Sequence, residues 1–317
     1  IQQDIGHGTI VEISYVGSLA RHLGERRNIN AVRDGMRFVD LHPENRNPFN
    51  TTNALGTGAY GDDFLRPYQG YGDINVVMGS GSSNYNALQV QVLRRYAKGF
   101  QYGVAYTWHK TLDYAPDDSN DVNFLRPYKA FNYGPADHDQ THIFTVNYIW
   151  DIPRLSRVWD KKIVKSVFDD WQLSGTTSFV SGLPKNISVD YNSGTTTIAA
   201  GQSCPAGTIQ TGPTACSLIT DFTGGEVNAR PFVTCNPSGG KGDAADGTPV
   251  YVDVSCFSRP TERGQIGNAP RNLLRRPALI NFNLAMFKNL RMGEKARLQF
   301  GWETYNLFSH TNFNDID

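Results

Sequence analysis

Four side chains able to bind a metal lie close together in the segment DHDQTH at 137–142. They are Asp137, His138, Asp139 and His142. Successive side chains of a β-strand point to opposite faces, so a strand here separates the two histidines from the two aspartates. Because metal ligands must converge on one point, this separation weakens the case for a shared metal site.

A second acidic group follows Asp113 and offers carboxylate oxygens, the ligands that calcium prefers. Asp117, Asp118 and Asp121 form a weak calcium candidate, because the spacing of an EF-hand loop is absent. The favoured interpretation is a solvated acidic loop, and we expect no resident metal.

Two glycine-rich segments match catalytic or nucleotide-binding patterns only in part. The segment GTGAYG at 56–61 fits GxGxxG, but no strand precedes it and no helix follows it, as phosphate binding requires. The segment GSGSS at 79–83 lacks the spacing of the GxSxG nucleophile elbow. We therefore expect no catalytic residue, no cofactor and no enzyme activity.

All four cysteines lie in one region rich in Gly, Thr, Pro and Ser: Cys204, Cys216, Cys235 and Cys256. An even number in one loop predicts two disulfides formed in an oxidising compartment, with three possible connectivities. We favour the sequential pairing. A zinc site is the weaker alternative, because the region has no CxxC pair and no histidine.

Aromatic residues in the long loops are the candidates for ligand binding, because their rings can stack on a sugar or a peptide. The candidates are Tyr60, Tyr68, Tyr71, Phe124, Tyr128 and Tyr133. The alternative is that many of these rings only pack the loops together.

The element that organises the chain is a predicted hairpin at 85–112, with its turn at Lys98 and Gly99. In its second arm every second residue is large and apolar, and the residues between are small or polar. Alternation over about ten residues matches the ~9–11 residues that a tilted strand needs to cross a bilayer.

Similar alternation predicts further strands, the first of them at Thr9–Ser18, with GSGSSN at 79–84 as a turn before the hairpin. The later predicted strands are 142–150, 171–181, 278–288 and 296–308, and 158–168 allows one or two helical turns. Long loops are expected at about 31–72, 113–141 and 182–276, and short turns at 97–99 and 290–294. Short turns on one side and long loops on the other are typical of outer-membrane barrels.

The fold class follows from this pattern: all-β, an antiparallel transmembrane β-barrel segment of about nine long strands. A charged side chain costs much on the lipid side and little in the lumen, so Arg297, Gln299 and Glu303 should face inward. Gln89, Gln91, Gln101 and His109 should also face the lumen. The net charge is zero with scattered Lys and Arg, which argues against a nucleic-acid partner.

Several motifs resemble those of TonB-dependent outer-membrane receptors, and the likeness is greatest to Oar-like receptors with a carboxypeptidase-regulatory-like domain, common in acidobacteria. The motifs are SYVGS at 14–18, RPYQGYGDI at 66–74, SNYNALQVQVLRRY at 83–96, FQYGVAYTWHKTLD at 100–113, DHDQTHIFTVNYIWDIP at 137–153, DWQLSGTTSFVSGLP at 170–184, GQIGNAPRNLLRRPALINFNLAMFKNLRM at 264–292 and ETYNLFSHTNFN at 303–314.

The resemblance implies a barrel in the outer membrane of a Gram-negative bacterium, with extracellular long loops that capture an unknown small ligand, sugar or peptide. It also implies a plug domain and energy from the TonB system. Residues 1–317 are then expected to be the C-terminal part of the barrel, incomplete at both ends. The alternative is a secreted β-rich binding or assembly module without transport activity.

Overall fold

A computed structural model gives the fold of most of the chain. It describes residues 1–49, 58–114, 128–187, 195–197, 199, 201–202, 208–212, 215–218, 223–226, 229–240, 247, 250–258, 260, 264–292, 296–313 and 315.

The described residues form one large antiparallel sheet in which each strand pairs with the next in sequence. Its strands are β1 (Gln2–Gly6), β2 (Thr9–Asn28), β3 (Asn75–Ala97), β4 (Phe100–Asp113), β5 (His142–Asp151), β6 (Trp171–Val180), β7 (Leu279–Met292) and β8 (Ala296–Thr304). A ninth, two-residue strand, Gly134–Pro135, pairs with the end of β4. The sheet is not closed, because β1 and β8 are edges in this part of the chain. The predicted all-β class is confirmed.

The remaining elements are short and lie in the connections. The helices are the 3₁₀ turns Pro43–Asn45, Leu155–Arg157 and Val254–Cys256, and α1 (Asp62–Leu65), α2 (Tyr128–Asn132) and α3 (Lys162–Phe168). The short strands pair Pro184–Lys185 with Leu274–Arg275, Phe232–Val233 with Phe257–Ser258, and Ala215–Leu218 with both Thr195–Thr197 and Thr208–Gly212. No helix in the described residues is long and apolar enough to span a membrane.

The connections sort onto two ends of the sheet, as the sequence predicted. Tight turns join β1 to β2 at His7 and Gly8, and β3 to β4 at Lys98 and Gly99. Lys98 and Gly99 have φ values of 53° and 80°, the left-handed geometry of a hairpin turn. The long connections follow β2, β4 and β6, so they share the opposite end. The loop after Asn28 thereby joins the long-loop side.

The predicted turn at 79–84 is wrong, because β3 runs without interruption from Asn75 to Ala97. The glycines and serines instead accommodate two register shifts of β2 around Leu23. At Gly81 an added Cβ would lie 3.0 Å from the Leu23 carbonyl oxygen, so a larger side chain would press on the neighbouring strand. Likewise β2 extends beyond the predicted Ser18 to Asn28, and β1 was not predicted.

The strand register carries one apolar face across the whole sheet. Val104 of β4 pairs with Val92 of β3 on one side and with Val146 of β5 on the other. The same face contains an aromatic row in which neighbouring ring centroids are 4.9–6.5 Å apart: Tyr106, Phe144, Phe179, Phe282 and Phe308.

The opposite face is polar, and it holds the residues predicted to face a lumen. Arg297 Nε and Gln299 Nε2 both donate to Asn289 Oδ1 at 3.1 Å. Gln91 pairs with Ala105 of β4, and Gln101 pairs with Ile149 of β5. The predicted separation of the two faces is therefore confirmed.

Adjacent residues in the middle of β5 test which face meets lipid. Val146→Arg, on the apolar face, should lower the free energy of unfolding in lipid vesicles by about 2–4 kcal/mol, because the charge enters the bilayer midplane. Asn147→Arg, on the polar face, should change it by less than about 1 kcal/mol. Denaturant titration of the full-length protein measures both values. Equal losses would contradict the assignment of the faces.

Candidate ligand-binding surface

The small apolar core of the long-loop side lies just beyond the ends of β2 and β3. Val32, Ala59 and Leu65 are buried together, and Met36, Val39 and Tyr60 pack against them. In the large sheet, by contrast, most of the large apolar side chains are at least partly exposed. The loop core therefore gives the connection between β2 and β3 a fixed shape of its own.

Three aromatic rings of the same connection are exposed to solvent. Phe64, Tyr68 and Tyr71 are 61%, 54% and 66% exposed. They come from the thirteen residues before β3, 62–74, which begin with α1. We call these three residues the aromatic platform. Exposed rings on a structured loop are costly to hydrate and are typical of a binding surface.

Asn30 fixes the backbone beneath the platform. Its side chain is fully buried, and its Nδ2 donates to the carbonyl oxygens of Tyr68, Tyr71 and Gly72 at 3.1, 3.1 and 2.8 Å. Its Oδ1 accepts from the Tyr68 amide at 2.7 Å. One side chain thus holds the backbone at Tyr68, Tyr71 and Gly72 through four hydrogen bonds.

Charged side chains hold the same loop from two sides. Arg66 contacts Asp73 and Glu226 at 2.5 Å each. Arg37 makes a two-pronged contact with Asp62, with Nε–Oδ1 and Nη2–Oδ2 distances of 2.9 and 2.8 Å. The hydrogen bonds from Arg37 lower the pKa of Asp62. Burial raises the pKa of Glu226, although the Arg66 charge opposes it.

A second buried network joins the end of β4 to the segment before β7. Arg271 Nη1 donates to Asp113 Oδ1 at 2.6 Å and to the Asn132 carbonyl oxygen at 3.3 Å. Arg271 Nη2 and Asn272 Nδ2 both reach Asp137 Oδ1, at 3.2 and 2.5 Å. These contacts cross more than 130 residues of sequence, so they bind the long loops to one another.

The DHDQTH segment belongs to this structural network. Asp139 is fully buried, accepts from the Thr111 amide at 2.6 Å and is paired with Arg275. His109 Nδ1 lies 3.6 Å from Asp139 Oδ1. His142 Nδ1 lies 2.8 Å from the Tyr106 hydroxyl, away from that carboxylate. Among the described residues no three His, Cys, Asp or Glu side chains form a metal site.

Two of the predicted ligand-binding aromatics are occupied by packing contacts. Tyr60 packs on the loop core. The Tyr133 ring packs at a tilt against Tyr114, with ring centroids 5.0 Å apart, and its hydroxyl accepts from Asn84 Nδ2 at 2.5 Å. Tyr128 begins α2. Phe124 and the calcium candidates Asp117, Asp118 and Asp121 lie outside the described residues. Phe64 is not among the predicted ligand-binding residues, but its exposed ring places it with Tyr68 and Tyr71.

The described cysteines agree with one half of the predicted pairing. Cys235 and Cys256 form a disulfide beside the short strands Phe232–Val233 and Phe257–Ser258. Cys204 lies outside the described residues, so its pairing with Cys216 stays a prediction.

Comparison with known proteins decides the family. The sequence matches the family described as "Outer membrane beta barrel domain" over residues 1–317. The chain belongs to this outer-membrane β-barrel family. No curated protein and no solved structure matches it.

Membership places the apolar face of this outer-membrane barrel against lipid. Trp150 pairs with Phe100 near the short turns, and Trp108 pairs with His142 eight residues further along β4. At about 3.3 Å per residue, and with the usual strand tilt, the two aromatic levels are roughly 20 Å apart across the membrane. This spacing suits the aromatic girdles that border the apolar band of such barrels.

Two cavities lie on the polar face of the outer-membrane barrel in the part of the chain that the structure describes. The larger, about 830 Å³, lies at the short-turn end and is lined by residues that include Tyr96, Asp151, Arg154 and Arg297. Its carboxylates are already engaged, since Asp151 accepts from Gln172 at 2.8 Å and Asp170 pairs with Arg154 at 3.0 Å. The smaller, about 420 Å³, lies over the middle of β5 to β8. Both cavities belong to the wall that would face a lumen.

Removal of the Asn30 side chain should release the aromatic platform. We expect Asn30→Ala to speed hydrogen exchange of the Tyr68 amide roughly ten- to a hundred-fold, because unpaired buried groups cost about 1–3 kcal/mol. Gln69→Ala is the matched control, since that amide makes one exposed bond, to the Phe64 carbonyl oxygen at 3.1 Å. Unchanged exchange in Asn30→Ala would refute the role of Asn30.

The Arg37–Asp62 contact should make the loop sensitive to acid. A carboxyl whose pKa is lowered on folding stabilises the folded state above its unfolded pKa of about 4, and the effect is lost as pH falls through the folded pKa. The thermal stability that wild type gains over Asp62→Asn should therefore be present at pH 7 and shrink in acid. Melting curves of both proteins at a series of pH values measure this difference. A difference in melting temperature that does not vary with pH would argue against a stabilising role of the Arg37–Asp62 contact.

The sequential disulfide pairing can be tested by peptide mapping without reduction. We expect one linked pair of peptides that contains Cys235 and Cys256 and another that contains Cys204 and Cys216. Loss of the first bridge should cost about 3 kcal/mol, since it closes a loop of 21 residues. A crossed pair of peptides would show a different connectivity.

Proposed function

We propose that this outer-membrane barrel is the ligand-capturing part of a TonB-dependent receptor of the Oar-like type. The motifs shared with those receptors support the proposal, and the whole-chain match to outer-membrane barrels agrees with it. The observation that carries the function itself is the aromatic platform on a rigid loop beyond the membrane.

The platform suits binding rather than catalysis. Its rings are exposed while the backbone beneath them is held by Asn30 and Arg66, so little conformational entropy is lost when a ligand stacks on them. The titratable groups nearby, such as Asp62 and Glu226, are engaged in ion pairs that hold the loop. We therefore propose a receptor without enzyme activity.

In this proposal the long loops lie outside a Gram-negative cell and bind a small sugar or peptide. A plug domain and the TonB system then act on the bound ligand from the other side of the membrane. The alternative of a secreted module without transport has no support from the family match, which is to an outer-membrane domain.

Binding and uptake can be separated experimentally. Full-length protein in detergent should be applied to an array of oligosaccharides and an array of peptides, and the retained probe used for titration. We expect Tyr68→Ala and Tyr71→Ala each to weaken binding roughly five- to a hundred-fold, because a stacked ring contributes about 1–3 kcal/mol. Tyr305→Ala is the control, since Tyr305 is 75% exposed but lies outside the platform.

Uptake of the same labelled probe should require the TonB protein. Cells that express the receptor but lack TonB should bind the probe at their surface without taking it up. Equal uptake by cells with and without TonB would refute energised transport. If Tyr68→Ala and Tyr71→Ala both bind the probe as well as wild type, the aromatic platform is not the binding site.

A further inference from the structure

The connection between β5 and β6 departs from the short turns at its end of the sheet. It spans 152–170, contains the 3₁₀ turn Leu155–Arg157 and α3, and leaves many large apolar side chains in solvent. Val158, Trp159 and Ile163 are 73%, 62% and 76% exposed, and Val167 and Phe168 are about half exposed. A segment that only reversed the chain would not need these side chains.

The segment is closed at its base by two polar contacts. The Asp169 carboxylate accepts from the Ser156 amide at 3.1 Å and from the Ser156 hydroxyl. Arg154 pairs with Asp170 at 3.0 Å. Residues 157–168 therefore leave the sheet and return to it as one compact excursion, which we call the rim excursion.

The rim excursion is amphipathic. At 100° per residue, α3 places Ile163, Val164, Val167 and Phe168 on one face and Lys162, Lys165 and Ser166 on the other. Across residues 157–168 four basic side chains stand against one acidic side chain: Arg157, Lys161, Lys162 and Lys165 against Asp160. An apolar face bordered by cations is the pattern of a helix that lies in a membrane interface.

Two contacts place the end of α3 on the lipid side of the wall. Trp171 and Lys288 are paired residues on the apolar face. The Trp171 indole N–H donates to the Val167 carbonyl oxygen at 2.8 Å, and Lys288 Nζ donates to the Asp169 carbonyl oxygen. The rim excursion is therefore continuous with the surface that meets lipid.

Other cations lie at the same rim. Lys288 Nζ lies 5.4 Å from the Trp171 ring centroid, and the Arg94 guanidinium lies 5.8 Å from that of Phe100. Cationic groups beside interfacial aromatic rings favour anionic headgroups.

We propose that the rim excursion is a site for anionic phospholipid, inserted into the headgroup region of the leaflet at the short-turn side. Val158, Trp159, Ile163 and Val167 enter the boundary of the acyl chains, and Lys161, Lys162 and Lys165 contact lipid phosphates. The excursion ties the wall between β5 and β6 to that leaflet.

Trp159 provides the measurement. Full-length protein is reconstituted in vesicles of chain-brominated phosphatidylcholine with and without phosphatidylglycerol, and the emission of Trp159→Phe is subtracted from that of wild type. We expect the Trp159 emission to fall by roughly half, because an interfacial helix is buried about 5–10 Å deep. The fall should be greater with phosphatidylglycerol.

Two variants of α3 control for charge and for folding. Ile163→Asp, on the apolar face, should remove the quenching of Trp159, whereas Ser166→Asp, with the same added charge on the polar face, should retain it. A triple change of Lys161, Lys162 and Lys165 to Gln should remove the preference for phosphatidylglycerol. Heat-modifiable mobility on gels confirms that each variant folds.

Either of two results would overturn the proposal. If aqueous acrylamide quenches Trp159 and brominated lipid does not, the excursion lies in water and its surface fits a protein partner. If brominated lipid quenches Trp159 equally with and without phosphatidylglycerol, the assignment to anionic lipid is wrong. The comparison of wild type with Trp159→Phe decides both, even if Ile163→Asp fails to fold.

Discussion

Every backbone amide and carbonyl that crosses a bilayer must be paired with a neighbouring strand, because lipid offers no hydrogen-bond partner. The structure meets this requirement with a ladder in which each strand from β2 to β8 pairs with the next, and the register shifts only around Leu23 of β2 and beside the Lys98–Gly99 turn. That register then fixes the two faces, since a shift by one residue would exchange lipid-facing and polar side chains. Packing in the wall therefore needs no enclosed core, and the buried apolar residues gather in the loops.

The loops must pair their buried backbone groups without the regular ladder that the sheet provides. They lie in water, lack a regular ladder over much of their length, and still hold a defined shape. Buried polar side chains supply the missing partners: Asn30 beneath the platform, Arg271 between Asp113 and Asp137, and Asp139 beside Arg275. Such networks are specific because each buried group left unpaired is costly.

The wall could be predicted from the sequence, because alternation with a period of two is a local signal. The hairpin at Lys98 and Gly99 and the faces of β4 to β8 follow from it directly. The prediction failed at GSGSSN because glycine and serine favour turns locally. Here the same small residues are instead needed inside a strand, where the neighbouring strand comes close. Ser80 in fact donates to the buried Glu25 at 2.6 Å, a contact between residues 55 apart in sequence.

The candidate site was only partly predictable, because it too depends on contacts between residues far apart in sequence. Tyr68 and Tyr71 were chosen as loop aromatics, but nothing local distinguishes them from Tyr60 and Tyr133, whose rings are packed. The exposure of an aromatic ring depends on which distant segment covers it, and a local sequence pattern does not predict that contact. The role of Asn30 is equally non-local, since its partners are about forty residues away.

The end of the β2–β3 hairpin on the long-loop side extends beyond the rest of the sheet. Strand β4 pairs with β3 only up to Ser83, so residues 21–28 and 75–82 continue beyond their neighbour as a two-stranded arm. At about 3.3 Å per residue this arm reaches as far as roughly 25–30 Å, with the aromatic platform directly at its tip. In the receptor that we propose, a sugar or peptide would be bound there before it reached the barrel. This first contact would not depend on whether the ligand fits the mouth of the barrel.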